Sequence, residues 1–267
     1  MSSLFAISIL LCIFVASFSV ISPVKAVADV YLRASQCTGH NIADGHYAVY
    51  GEVYNRGDTP ADSISFYVDM RDEFAIGGGT GATVGTVLVE LNTPIVLHPG
   101  ESWPWEAQFT YNEAEIDVNG FNLQAPTFSP TDALTVGLEI VSHSSDSPGT
   151  VVGEIQNIGT EPTTLVEVGA SFYSESGPVV ATASTLIPGT LDPGENATFS
   201  IALEQTDLAP LLEDVVPLID SYALTAQSQE YAIIPEFHIW TSMLLILITL
   251  TVATAIYKRR LLKTPIH

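Results

Sequence analysis

Cys37 and two histidines that follow it, His40 and His46, are the residues of this chain whose types and spacing suit a metal site. A thiolate and two imidazoles are ligands that zinc and copper accept. Asp44 lies between the two histidines, and no ligand beyond these four is near in the sequence; the same stretch also has the composition of a polar loop between two strands. The segment is therefore compatible both with metal binding and with an ordinary loop.

A second candidate is a calcium site at Glu115, Asp117 and Asn119, which follow the spacing of the first ligands in a calcium-binding loop. The twelfth position of that pattern holds Pro126 instead of glutamate, and a strand is expected to follow directly, which excludes an EF-hand. A looser calcium site between two domains remains a hypothesis. We expect no other cofactor.

No stretch of the sequence is typical of a catalytic site. The glycine-rich run Gly77–Gly85 is not followed by lysine, so it predicts a hairpin loop and not a phosphate-binding loop. No serine lies in a nucleophile-elbow setting. We therefore expect a protein that is not an enzyme. Asn196, in Asn-Ala-Thr, is a glycosylation acceptor sequence.

The charge of the chain is strongly negative, with a formal net charge of −22. All 30 acidic residues lie between Asp29 and Glu236, where the only basic residues are Arg33, Arg56 and Arg71. Nucleic-acid binding needs clustered lysine and arginine, so this composition excludes it. An acidic surface suits a salty or calcium-containing exterior, where counterions screen the charges.

Both ends of the chain are apolar. Leu4–Ile21 is followed by the small-residue motif Ala26-Val27-Ala28, which predicts a signal peptide over residues 1–28, with a retained N-terminal anchor as the alternative. Ile239–Tyr257 is uncharged over 19 residues, about the length of a transmembrane helix. Four basic residues in the tail 258–267 predict a single-pass plasma-membrane protein with its tail in the cytoplasm and its N-terminal domains outside.

The sequence contains a long internal repeat. "VYGEVYNRGDTP" at 49–60 returns as "VVGEIQNIGTEP" at 151–162, and "LHPGESW" at 97–103 returns as "LDPGENA" at 191–197. A nearly constant offset of about 100 residues predicts a duplicated domain, not a short solenoid repeat. We place the two copies at residues 29–129 and 130–232, with a proline-containing linker near 125–132.

Period-two alternation of apolar and polar residues dominates both copies. Segments such as "YAVYGEVYN" and "TVVGEIQN" predict strands exposed on one face, and the N-x-G and P-G-E elements predict tight turns between strands. Residues 204–219 interrupt this pattern and predict a short helical turn. The predicted fold is all-β, with two tandem immunoglobulin-like antiparallel β-sandwiches followed by one C-terminal transmembrane helix.

Val151–Leu203, closed by "SYALTA", resembles an FxLYD-type domain, a CARDB-like immunoglobulin-like module of envelope proteins, with its named motif at Ser171-Phe172-Tyr173-Ser174. The resemblance implies a structural or adhesive role among other envelope or cell-surface proteins. Pro235, Glu236 and Phe237, within the segment 233–257, resemble the PEF-type sorting signal of archaeal surface proteins. That resemblance implies processing by a membrane transpeptidase, an archaeosortase.

The functional prediction from the sequence is a membrane-anchored cell-surface protein that presents two immunoglobulin-like domains outside the cell. Its partners would be the lipid bilayer and other surface proteins. The alternative is an extracellular receptor module that binds a ligand or a metal.

Overall fold

The computed structural model describes residues 27–43, 45–72, 81–91, 95–112, 116–203 and 215–233. Within these ranges the chain is all-β, with short 3-10 turns such as Ala34–Gln36 and Val216–Leu218.

The strands form two consecutive groups, which we call the first unit and the second unit. The first unit comprises β1 (Val30–Leu32), β2 (Thr38–Ala43), β3 (His46–Asn55), β4 (Ala61–Asp72), β5 (Ala82–Glu90), β6 (Ser102–Thr110), β7 (Gly120–Leu123) and β8 (Thr127–Pro130). The second comprises β9 (Thr135–Ser147), β10 (Thr150–Asn157), β11 (Thr163–Thr164), β12 (Glu167–Tyr173), β13 (Val179–Leu186), β14 (Thr190–Leu191), β15 (Asn196–Ala202), β16 (Ser221–Gln227) and β17 (Tyr231–Ile233).

The first unit has two antiparallel sheets that pack face to face. In one sheet β3 pairs with β1 and β2 along one side and with β6 along the other; in the second sheet β4 pairs with β5, β7 and β8. The rings of Phe66 from β4 and Trp105 from β6 meet edge to face, with centroids 4.9 Å apart. This contact joins the two sheets. Burying a large apolar side chain stabilises a fold by about 1.5–3 kcal/mol.

The second unit is built on one seven-stranded sheet in the order β13-β12-β16-β17-β9-β10-β15, with β11 and β14 forming a separate pair. β17 runs antiparallel to β16 and parallel to β9, and it thereby connects two antiparallel groups of strands. Phe172 on β12, Ile155 on β10 and Ile201 on β15 are all buried in one cluster. The two groups of strands therefore cover a common core.

The two units share the same strand register. The offset of 102 residues between the first two repeated phrases also relates β3 to β10 and β4 to β12, and their cross-strand partners correspond at offsets of 94, 96 and 101 residues. In the first unit Glu52 pairs with Pro104, and Asp69 pairs with Thr86 and Asn122. The equivalent pairs in the second unit are Glu154 with Thr198, and Ser171 with Thr182 and Ala223.

The strands predicted around the repeated motifs are confirmed, but two details differ from expectation. The N-x-G turns do not join paired strands: β4 crosses to the sheet opposite β3, and β12 likewise pairs with β13 and β16 instead of β10. The segment predicted as a linker near 125–132 contains β8, which pairs with β4. Pro126 and Pro130 favour an extended backbone in the residues before them, so this segment continues as a strand beside β4.

Several sequence predictions fall outside the described residues. These are most of the predicted signal peptide 1–28, the motif at Pro235, Glu236 and Phe237, the apolar span Ile239–Tyr257 and the tail 258–267. No helix within the described ranges has both the length and the apolar character that crossing a bilayer requires. Of the helical turn predicted over 204–219, the described part contains the 3-10 turn Val216–Leu218.

Candidate functional site

The repeated phrase places a buried asparagine at the end of a central strand. Asn55 is fully buried at the end of β3, and its side-chain amide donates to the carbonyl oxygens of Thr59 and Leu97, both at 2.8 Å. Its side-chain oxygen accepts a hydrogen bond from the backbone N–H of Gly57 at 2.9 Å. One side chain thus satisfies three backbone groups of the turn and fixes its path.

Asn157 forms the same three contacts in the second unit. Its amide donates to the carbonyl oxygens of Glu161 at 2.9 Å and Leu191 at 2.8 Å, and its oxygen accepts from the N–H of Gly159 at 2.8 Å. It is also fully buried. The phrase recurs because each unit uses this asparagine to join the end of its central strand to two loops.

The repeated Pro-Gly-Glu turn completes the arrangement. Gly100 has a φ of +85° and donates its N–H to the backbone oxygen of Asn55 at 2.7 Å. The carboxylate of Glu101 accepts from the N–H of His98 at 3.0 Å. The equivalents are Gly194, with a φ of +81° and a 2.7 Å bond to Asn157, and Glu195, which accepts from Asp192 at 2.9 Å. Glycine is needed here because L residues rarely adopt this φ.

The outer face of β3 lies against the second unit, and Glu52 is at the centre of the hydrogen bonds between them. One of its carboxylate oxygens accepts from the hydroxyls of Ser171 and Tyr173 at 2.8 Å each, and from Ser102 at 3.1 Å. Hydrogen bonds to an ionised acceptor are stronger than those between neutral groups. Glu52 therefore joins strands β3, β6 and β12 across the interface.

Other polar contacts extend this interface between the units. The Gln227 side chain accepts from the N–H of Val96 at 2.7 Å and donates to the oxygen of the same residue at 2.6 Å. Thr38 donates to the backbone oxygen of Val179. The N–H of Leu134 donates to Nε2 of His98 at 3.0 Å. These bonds come from strands and loops of both units, so the units are docked over a broad surface.

Apolar packing accompanies the polar contacts. Ile42, Ala48 and Tyr50 of the first unit belong to the buried cluster of the second unit. The Tyr50 hydroxyl is buried with no hydrogen-bond partner among the described residues, and burial raises the pKa of Tyr50. Burial likewise lowers the pKa of His40, whose ring lies 6.3 Å from that of Tyr50. The core of the second unit thus continues into the outer face of β3.

A cleft of about 490 Å³ opens beside this interface. It is lined by Trp103, by Ser184 and by three carboxylates, Glu90, Glu106 and Glu167. Burial raises the pKa of Glu106, although Gln108 donates to its carboxylate at 2.8 Å. Within the described ranges, no group of three or more His, Cys, Asp and Glu residues is arranged to hold a metal ion.

The structure does not bring the residues of the predicted Cys-His metal site together. Cys37 packs in the core of the first unit against Gly51 and Trp105, and burial raises the pKa of its thiol to about 12. His40 lies on the opposite side of this segment, at the interface with the second unit. His46 begins β3 and contacts the hydroxyl of Thr110 at 3.2 Å.

The other sequence candidates are separate from the interface. Glu115 lies outside the described residues, whereas Asp117 is exposed and Asn119 is half-buried, on either side of the fully buried Val118. Asn196 is exposed at the start of β15. β4 and β5, on either side of the glycine-rich run Gly77–Gly85, pair as an antiparallel hairpin, but the last four residues of the run belong to β5 and not to the predicted loop, and residues 77–80 lie outside the described residues.

Sequence reasoning did not identify Glu52, Ser171 and Tyr173 as an interface. A signal was present in β3, where Ala48 and Tyr50 make the outer face apolar in the first copy, while the equivalent Thr150 and Val152 are more polar or smaller. A strand that is apolar on both faces is buried on both faces. The difference between the two copies therefore indicates that the outer face of β3 is covered and that of β10 is not.

No protein-family model and no curated protein matches the chain. Among solved structures, it is similar to a red sea bream transglutaminase, with 8% identity and a TM-score of 0.22 over 79% of this chain and 30% of that one. A Bacteroides uniformis β-glucuronidase matches at 14% identity and a TM-score of 0.18, over 59% of this chain and 21% of the enzyme. A chaperone–tip adhesin complex of CFA/I fimbriae matches at 14% identity and a TM-score of 0.15, over 61% of this chain and 87% of that one. Likenesses at these TM-scores carry no argument about fold or activity.

Proposed function

We propose that this chain is a membrane-anchored cell-surface protein whose two immunoglobulin-like, FxLYD-like β-sandwiches have a structural or adhesive role outside the cell. The observation that carries the proposal is the docked interface, in which Glu52 and Gln227 make hydrogen bonds between the two units. A module that holds or spaces other surface components needs a fixed shape under load. Two sandwiches joined over a broad interface provide that shape better than two domains on a free linker.

Membrane anchoring rests on the sequence. The apolar span Ile239–Tyr257 and the basic tail 258–267 support a single transmembrane helix with the tail in the cytoplasm. The exposed Asn196 is accessible to glycosylation in an exported chain. The motif Pro235-Glu236-Phe237 supports processing by an archaeosortase, and the partners would be other envelope proteins.

Topology tests this proposal directly. Cells that express the full chain with an epitope tag after His267 are stained with an antiserum raised against residues 27–233. We expect the antiserum to label intact cells, and the tag to be detected only after the cells are permeabilised. Labelling of the described region only in permeabilised cells would contradict a surface location.

The receptor alternative has its own measurement. Because Cys37, His40 and His46 do not converge, the structure gives the metal-binding alternative no assembled site in its described part. An elemental scan of the purified full chain tests it. Zinc, copper or calcium at one equivalent per chain would support a metal-binding receptor over a structural module.

A further inference from the structure

The duplication leaves two sheet faces against which no other sheet of the described residues packs. Face A is the outer face of β4 and β5 in the first unit, and face B is the outer face of β10 and β15 in the second. The corresponding faces inside the chain are covered. The outer face of β12 and β13, which corresponds to face A, packs against the outer face of β3 and β6, which corresponds to face B. Face A comprises Tyr67, Asp69, Arg71, Thr86 and Leu88, and face B comprises Val152, Glu154, Thr198 and Ser200.

The internal interface places a small residue of β12 against a larger residue of β6, and on the two free faces the large and small residues change sides. Inside the chain, Pro104 packs so closely on Gly169 that a Cβ there would lie 2.9 Å from the proline ring. On the free faces, the equivalent of Gly169 is Tyr67, which is 47% exposed and paired with Leu88, which is 45% exposed. The equivalent of Pro104 is the smaller Thr198. A large residue on face A would thus meet a small one on face B.

The polar residues of the two free faces are also complementary to each other. Internally, the carboxylate of Glu52 accepts a hydrogen bond from Tyr173. Their equivalents on the free faces are Glu154 and Arg71, which is one of only three basic residues between Asp29 and Glu236. The hydroxyl-to-carboxylate bond of the internal interface would therefore be replaced by an ion pair.

Of the acidic residues on face A, Asp69 is already engaged, whereas Glu90, which pairs with Ser65 at the end of β5, is exposed. Asp69 is largely buried and accepts from Thr86 at 2.9 Å and from Gln124 at 3.1 Å. Arg71 lies 4.0 Å from it, and Nε of Arg71 is buried without a hydrogen-bond partner among the described residues. Arg71 also donates from Nη1 to the backbone oxygen of Gly81 at 2.8 Å, and 25% of its side chain stays exposed beside the apolar pair of face A.

We propose that face A of one molecule binds face B of a second copy of this chain, with the geometry of the internal interface. The contact joins two different surfaces, so it is head-to-tail and leaves a free face at each end. Repetition gives linear assemblies in which every unit is stacked on the next in the same way. This inference names a partner that the proposed function leaves open, and it does not depend on the location of the chain.

A cross-linking experiment tests the geometry. Full chains carrying Cys12→Ala and Cys37→Ala receive either Tyr67→Cys or Thr198→Cys and are oxidised in about 1 M NaCl, which screens the acidic surfaces. We expect the mixture to cross-link on the order of tenfold faster than either variant alone, because the contact raises the effective concentration of one thiol near the other. Leu218→Cys, exposed in a 3-10 turn away from both faces, replaces Thr198→Cys as a matched control. Equal rates for the mixture and the single variants would overturn the proposal.

A charge exchange tests the contact without removing Tyr67. Arg71→Glu and Glu154→Arg each place like charges in the proposed contact, so each variant should sediment as smaller species than the unmodified full chain in the same detergent. Mixing the two variants restores opposite charges at both contacts and should restore the larger species. If the single variants associate as the unmodified chain does, or if mixing restores nothing, face A does not bind face B.

Discussion

Asn55 and Asn157 are the residues on which each unit depends most, because each satisfies three backbone groups that are closed off from water. Each amide group donates to two carbonyl oxygens and accepts from the N–H two residues further on, with distances between 2.8 and 2.9 Å, and Asn55 also accepts from the N–H of Asp29 at 3.4 Å. A buried backbone group that loses its partner costs roughly 1–3 kcal/mol. The repeated asparagine therefore belongs to the fold, and we assign it no role in binding.

Asn157→Ala should lower the free energy of unfolding of the second unit by about 2–4 kcal/mol, because it leaves those backbone groups unpaired. Asn157→Asp should be similarly destabilising, since a carboxylate keeps the acceptor for Gly159 but loses both donors. Urea denaturation measures both. The control is Asn196→Ala at an exposed position, expected to change stability by less than about 0.5 kcal/mol. An Asn157→Ala protein as stable as this control would show that the three hydrogen bonds of Asn157 do not stabilise the second unit.

Glu106 predicts a pH-dependent stability with a defined sign. Burial raises the pKa of this carboxyl in the folded state, so the folded protein binds the proton more tightly than the unfolded chain does. The stabilisation is fully present below the unfolded pKa and is lost as the pH rises through the folded pKa. Glu106→Gln should therefore melt at a higher temperature than the unmodified chain at pH 7.

The difference between the two proteins should disappear below about pH 4, where the carboxyl is neutral in both states. Glu90→Gln, at an exposed position of the same cleft, serves as the control and should shift the melting temperature little at either pH. A Glu106→Gln protein that is less stable at pH 7, or whose advantage persists in acid, would contradict this assignment.

Among the strands, β3 differs from its equivalent β10 because both of its faces are covered. Its inner face packs on β4, and its outer face, with Ala48 and Tyr50, packs on the second unit. In β10 the residue equivalent to Tyr50 is Val152, which is only half-buried. The two copies have thus diverged where one of them is covered and the other is not.

A reciprocal exchange tests this difference between the strands. Tyr50→Val should destabilise the chain by about 1–3 kcal/mol, because it opens a cavity at the interface. Val152→Tyr should change the stability by less than about 0.5 kcal/mol, since the added ring lies at the surface. Thermal melting of dilute samples compares the two. Equal effects would mean that the outer face of β3 is no more buried than that of β10.

The strands were predictable because their alternation is local and because N-x-G and P-G-E turns have a defined backbone chemistry. The sheet to which β4 belongs was not, since a crossing to the opposite layer leaves the period-two pattern unchanged. The strand β8 was missed because its prolines suggested a linker. Glu52 was missed because its partners, Ser171 and Tyr173, are 119 and 121 residues away, and no local pattern marks such a contact.

In the whole molecule the two units are docked through hydrogen bonds and apolar contacts. Gly169 lets Pro104 approach β12 closely because it has no side chain. The hydrogen bonds of Glu52 and Gln227 surround this contact. If the docking is correct, a substitution at Gly169 should separate the units without unfolding either core.

The most direct measurement is the distance between two spin labels on the full chain, one in each unit. In a background with Cys12→Ala and Cys37→Ala, labels are attached at Ser35→Cys and Leu218→Cys, which lie in exposed 3-10 turns. Dilution with unlabelled chain removes distances between molecules. We predict a single narrow distance distribution, which Gly169→Arg broadens while the circular dichroism spectrum stays all-β. A broad distribution in the labelled chain that Gly169→Arg leaves unchanged would contradict the docking of the two units.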